Sequence, residues 1–171
     1  VMMAGILNIA GALSGTAVAT TLGSGLVNAN AVNQLTVVVG LLSAIIWDLL
    51  TWYVGLPDSS SHALIFGVVG AAVATSGFDS IIESGLIKVF TGLVYSPVLG
   101  FIAAMVTMSA VYWLFQRATW LMVSRLFGRL QLLSSAWMSY SHGGNDGQKT
   151  MGIIALALFS GGFLGETFYV P

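Results

Sequence analysis

The chain has no cysteine in its 171 residues, which excludes disulfides, thiolate metal sites and cysteine nucleophiles. Charge is almost as scarce: Asp, Glu, Lys and Arg make up 6% of the sequence, where an ordinary soluble domain carries roughly a quarter. The formal net charge is -1, so there is no basic excess to drive nucleic-acid binding. The only histidines are His62 and His142. They are too few for a metal site without more His or carboxylate ligands at workable spacing. Neither is accompanied by a nucleophile elbow and an orienting acid, and each is expected to hydrogen-bond backbone at a helix break. The chain opens at Val1 inside an apolar run, without an initiator methionine, a basic n-region or a small-residue cleavage site. It stops at Phe168-Tyr169-Val170-Pro171, directly after an apolar segment, and both ends read as cuts in a longer sequence.

What is abundant is apolar: 57% of the residues are hydrophobic and the mean hydropathy is +0.93. The chain is therefore read as an all-α integral membrane protein. A spanning helix needs about 20 mostly apolar residues. Uncharged stretches of that kind run from Val1 to Val27 and from Ser96 to Phe115, and Gln34 to Leu50 makes a third span. It ends beside Thr51-Trp52-Tyr53, aromatics that favour the headgroup level. The run Ala63 to Ser76 is too short to cross alone and rich in small residues, which suits a re-entrant half-helix. Asp79 to Leu93 contains Glu83 and Lys88 and is expected to be an interfacial or hairpin-connecting segment. Arg117, Arg125 and Arg129 share one helical arc opposite Met122, Val123, Leu126, Phe127 and Leu130, as in an amphipathic helix at the membrane surface. By the positive-inside rule that surface is cytoplasmic. Beyond it, Leu132 to Tyr140 is expected as a short half-helix, broken at Ser141 to Lys149 and resumed from Thr150 to Leu164.

Two polar clusters interrupt this apolar pattern. The first is Pro57-Asp58-Ser59-Ser60-Ser61-His62 and the second Ser141-His142-Gly143-Gly144-Asn145-Asp146-Gly147-Gln148-Lys149. Polar groups at membrane depth are costly and face substrate or ion pathways when they occur together. Three serines before an apolar helix suit an oxyanion at the free N–H groups of its first turn, and they equally suit ordinary N-capping. Asn145 and Asp146 offer hard oxygen ligands for an alkali cation or a proton site, Gln148 can donate and accept, and Lys149 can pair with Asp146 or snorkel. The glycines of the second cluster are expected to let the backbone unwind. Asp48, Asp58 and Glu83 are weaker candidates.

Ser141 to Ile154 (Ser-His-Gly-Gly-Asn-Asp-Gly-Gln-Lys-Thr-Met-Gly-Ile-Ile) resembles the second signature of the inorganic phosphate transporter (PiT) family. Trp52 to Ala63 resembles that family's first serine/threonine hairpin, and Gly128 to Ser134 resembles its run into the second signature. Gly144 departs from the family, which more often has alanine there. The resemblance implies an inverted-repeat secondary transporter with discontinuous helices and re-entrant hairpins, of which this chain holds the middle. Residues 1–94 would belong to the first repeat, with the serine-rich hairpin at about 51–76. Residues 95–135 would form the connecting span and basic amphipathic helix, and 136–171 the start of the second repeat with the Asn-Asp helix.

On that resemblance Ser59, Ser60, Ser61, Asn145, Asp146 and Gln148 bind phosphate. Asn145 and Asp146 also couple a cation, with sodium taking a metal-like place there. The implied activity is symport of inorganic phosphate with sodium or a proton by alternating access in the plasma (inner) membrane, by a multi-pass protein. It is not an enzyme and uses no cofactor beyond the coupling ion. Its partners are phosphate, the cation and the bilayer, with no nucleic acid, and homodimerisation of the full-length protein is left open. Alternatives are a sulfate or other oxyanion permease on the same scaffold, a non-transporting membrane subunit, or a membrane hydrolase using Ser61 and His62.

Overall fold

The computed structural model describes residues 1–171 and is all-helical. Asn33 starts the most regular part: its Oδ1 accepts from the Thr36 amide at 2.9 Å, and α3 then runs from Gln34 to Val54. Gly55, with φ 75° in the left-handed region, ends it. Ser59 caps α4, Ser60–Ser76, which stops at Gly77, φ 78°. The two helices form an antiparallel hairpin. At one end the hydroxyls of Thr36 and Thr75 share a hydrogen bond of 3.1 Å. In the middle a Cβ on Gly40 would lie 2.9 Å from Val68 Cα, and one on Gly67 2.6 Å from Gly40 O. Backbones touch there, as small residues allow. At 21 residues α3 is about 32 Å long and α4, at 17, about 26 Å, so α4 falls short of the ~30 Å hydrocarbon core.

The remaining packing is helix beside helix in parallel. Helices α1 (Met2–Leu13) and α2 (Ala17–Ser24) lie along α6 (Trp120–His142) and α7 (Gln148–Ser160) respectively. The core collects where α2, α4 and α7 converge, around Leu22, Leu26, Val27, Val68, Ala72, Ile153 and Leu156. A single antiparallel bridge, Val27 to Ile81, ties the chain ahead of α5 to the segment after α2.

Several expectations change. The single span over Val1–Val27 is a bent pair, α1 and α2, turned by 61° at Ser14–Thr16. The connecting segment expected at Asp79–Leu93 is mostly helix: only Phe78–Ser80 forms a short 3-10 turn, and α5 then runs unbroken from Glu83 to Phe115. Glu83 suits the positive end of that helix dipole. The amphipathic segment that carries Arg125 and Arg129 and the half-helix after it form one helix, α6, while Arg117 stands in the turn between α5 and α6 and not on the same helical arc. Helices α3 and α5 are each long and apolar enough to cross a membrane, and the α1/α2 pair adds a third span if taken as one. The second cluster does not unwind either. Gly143–Gly147 is a π-helical turn joining α6 to α7, with Gly143 at φ -57°, ψ -45° and Gly147 at φ -60°, ψ -44°. The glycines serve close approach instead. A Cβ on Gly143 would overlap the Asn8 carbonyl, and one on Gly147 would lie 2.8 Å from Ala12 Cβ.

Candidate functional site

The hairpin and the π turn bring the two polar clusters together. In the loop ahead of α4 the Asp58 carboxylate accepts from the Ser59 amide at 2.6 Å and from the Thr51 hydroxyl at 3.1 Å. Partial desolvation raises the Asp58 carboxyl, but the hydrogen bonds from the Ser59 amide and the Thr51 hydroxyl help hold it below its ordinary value. Ser59 Oγ accepts from the His62 amide at 3.5 Å, so the first serine is an N-cap. Ser60 and Ser61 lie in the first turn, where amides have no intrahelical acceptor.

Across from them, the π turn presents Asp146. One carboxylate oxygen is 2.7 Å from His142 Nδ1, and the other pairs with Lys149 Nζ. The same ammonium donates to Ser61 Oγ at 2.5 Å, joining residues 88 positions apart. Ser60, Ser61, Asp146, Lys149 and Thr150 line a cavity of about 320 Å³ whose remaining wall is Leu64 of α4 and the α3 face that carries Asp48. Asp48 Oδ1 is buried there without a hydrogen-bond partner.

The other expected site residues do not line this cavity. Asn145 is exposed, its Nδ2 donating to Ser141 O at 2.9 Å. Gln148 is 5% exposed, and its Oε1 accepts from the Val18 amide at 3.1 Å. It thereby caps α2, where Thr16 makes no side-chain cap. His142 pairs with a carboxylate, not with backbone as expected. His62 lines a separate cavity of about 440 Å³ with Ser43, Trp47, Asp58 and Phe66, so Ser61 and His62 line different spaces. Sequence reading underweighted Asp48 and passed over Thr150. The signal for Asp48 was a carboxylate inside an otherwise apolar helix.

A bent helix pair, a hairpin with one helix too short to span, and a polar cavity walled by serines and a carboxylate together define a membrane protein that keeps irregular backbone where it lines a cavity. Its fold matches a solved structure described as "The sodium-dependent phosphate transporter", with a TM-score of 0.72, 20% identity, and 99% of this chain and 61% of that one covered. The sequence model of the phosphate transporter family (PHO4) matches residues 1–167, and the chain belongs to that family. The family is one of transporters, which removes the hydrolase reading of Ser61 and His62.

Among relatives, the chain is 48% identical over 157 residues to a protein of Rhizobium meliloti (strain 1021). It is 38% identical over 162 residues to one of Bacillus subtilis (strain 168) and 42% over 172 residues to one of Mycobacterium tuberculosis (strain ATCC 25618 / H37Rv). Each is named "Probable low-affinity inorganic phosphate transporter". The alignments cover 92%, 94% and 100% of this chain but 47%, 49% and 41% of those proteins. The chain therefore spans about half the length of the relatives it matches.

Proposed function

We propose that the full-length protein carries inorganic phosphate across the plasma membrane together with sodium or a proton, by alternating access, and that this chain supplies one wall of the binding site. The observation that carries the reading is the junction of Ser61, at the open N-terminus of α4, with Asp146 of the π turn through Lys149. Hydroxyls and first-turn amides suit phosphate oxygens. A carboxylate beside them repels an anion strongly in a low-dielectric site, so anion and cation favour each other's entry. Asp48 lines the same cavity, and its Oδ1, buried without a partner, is an acceptor of the kind a cation or proton satisfies.

On this reading Ser60 and Ser61 hold phosphate, with Ser59 keeping the helix end in place, while Asp146 and Asn145 serve the cation. Gln148 sets the α2 end from behind. Residues 1–94 form part of a first repeat, 95–135 the connector and 136–171 the start of a second, in a multi-pass protein. Sodium is supported by the name of the structural neighbour.

The test is phosphate uptake by proteoliposomes of the full-length protein under an imposed sodium or proton gradient, with wild type compared with Asp146→Asn. Uptake driven by one gradient and lost in the variant is expected. Absence of phosphate uptake under either gradient, or sulfate uptake in its place, overturns the assignment.

A further inference from the structure

Three charged residues, Asp48, Asp146 and Lys149, are withdrawn from full exposure, and all three line the same cavity. Two carboxylates and one ammonium leave the cavity formally one charge negative, and Lys149 is its sole cation. The ammonium has three donors; Asp146 and Ser61 take two. The lysine side chain is 21% exposed, the Asp146 side chain 45%. A pair that served α-helix stability alone would need no third partner on the neighbouring hairpin, since exposed i,i+3 pairs already contribute on their own. By accepting from Lys149, Ser61 keeps its own hydroxyl proton free to donate into the cavity. Asp146 keeps His142 at 2.7 Å on its other oxygen, so it is not stranded if the lysine leaves.

We propose that Lys149 is a tethered cation of the transport site: in the empty site its ammonium holds Ser61 to Asp146, and on loading it leaves Asp146 to the coupling cation and turns to the phosphate oxygens. This rests on the phosphate-symport reading above. One of the positive charges a transported anion needs is then supplied by the protein, not by the bath. The tether also links the two halves of the empty site, because Ser61 stands on the hairpin and Asp146 on the π turn, and Lys149 bonds to both. Incoming cation competes with the ammonium for Asp146, and incoming phosphate competes with Asp146 for the ammonium. Neither exchange is favourable alone, and the two together preserve every charge contact.

The experiment measures uptake of radiolabelled inorganic phosphate into proteoliposomes of the full-length protein while phosphate and the driving cation are each titrated, for wild type, Lys149→Gln, Lys149→Arg and Lys149→Cys. Loss of one charge-assisted hydrogen bond predicts a rise of about ten- to hundredfold in phosphate KM for Lys149→Gln. A steeper cation dependence should accompany it, because a bath cation must replace the lysine. Lys149→Arg keeps the charge and should lie nearer wild type on both readouts. Alkylating purified Lys149→Cys with 2-bromoethylamine forms the thioether, displaces bromide and gives a side chain of lysine's length bearing an amine. Recovery of the wild-type KM and cation dependence on alkylation is expected.

A purely structural lysine would move stability but not the steepness of the cation dependence. Wild-type phosphate uptake with Lys149→Gln unchanged in both readouts overturns this inference while leaving the transport reading intact. So does alkylated Lys149→Cys that is monodisperse yet keeps the KM of Lys149→Gln. If the neutral variants are not recovered folded, Lys149→Arg decides: a phosphate KM within about threefold of wild type supports the charge role, and a loss as large as about a hundredfold overturns it. A wild type that takes up no phosphate under any gradient removes the parent reading instead.

Discussion

Gly143 and Gly144 are neighbours in one π turn with helical backbone, yet substituting alanine at each should have opposite effects. A Cβ on Gly143 would overlap the Asn8 carbonyl oxygen and lie 2.6 Å from its carbon and 2.7 Å from Asn8 Cα. All three obstacles are backbone of α1, so none can rotate away. A Cβ on Gly144 would meet only Gly11 O at 3.4 Å and Gly11 C at 3.9 Å, ordinary contact distances. Replacing Gly by Ala inside a helix is worth about 1 kcal/mol. Overpacking costs about 1–3 kcal/mol, the upper end applying where backbone must move. Gly143→Ala should therefore destabilise by about 2 kcal/mol net, and Gly144→Ala should be neutral or stabilise by up to about 1 kcal/mol. The assay is the midpoint of heat-induced loss of the monodisperse peak of the full-length protein in detergent, with phosphate uptake of each variant alongside. If the glycines were there to unwind the chain, both substitutions would be harmful and comparable. Equal losses, or a Gly143→Ala as stable as wild type, would refute the close-approach argument.

Other outcomes follow from single contacts. Ser59→Ala removes the α4 N-cap and should cost about 1 kcal/mol in the same melting assay while phosphate KM stays near wild type; Ser61→Ala, which loses the Lys149 contact, should raise phosphate KM instead. Gln148→Leu leaves the partly buried Val18 amide without an acceptor and should destabilise by about 1 kcal/mol, read as a lower melting midpoint. The Asp58 carboxyl sits below its ordinary value, so its hydrogen bonds stabilise the hairpin loop fully above the ordinary carboxyl pKa of about 4 and are lost as pH falls through the lower folded value. The protection factor of the Ser59 amide, its exchange rate relative to an unstructured amide at the same pH, should fall only in that acid range, and Asp58→Asn should abolish the pH step.

Elements whose limits are set by local chemistry were legible. The long apolar run from Gln34 marks the start of α3, and the aromatics after Leu50 put its expected end four residues before Val54. The serine cluster marks the start of α4 to within three residues, Ala63 expected against Ser60 observed, and the Asn-Asp motif discloses the carboxylate. The bend at Ser14–Thr16 was not legible, because those small polar residues barely interrupt an apolar run. The acceptor that satisfies the restarted helix, Gln148, lies 130 positions away from Val18. The same long-range contact explains why Gln148 read as a ligand: its motif gives the residue type, and only packing decides which way a buried amide turns. The glycines misled for a related reason. Sequence shows that a Cβ is missing, but freedom of φ and room for a neighbour's backbone look identical until the neighbour is placed.

The placement of charge makes the strongest case that the two clusters form one site. Of the eleven charged residues, Asp79, Glu83, Lys88, Arg117, Arg125, Arg129 and Glu166 are exposed, where hydration is retained and little is asked of the fold. Asp58 is exposed as well, at the hairpin loop, sharing a small hollow with Asp48 and Ser60. Only Asp48, Asp146 and Lys149 are partly covered, from two different helices and the π turn between α6 and α7, and they meet on one cavity beside Ser60 and Ser61. Desolvating three charges is costly even when they are paired, and replacing them by apolar residues would serve packing at least as well. Packing stability therefore gives no reason to gather them, while a cavity that must admit a charged solute and release it again does.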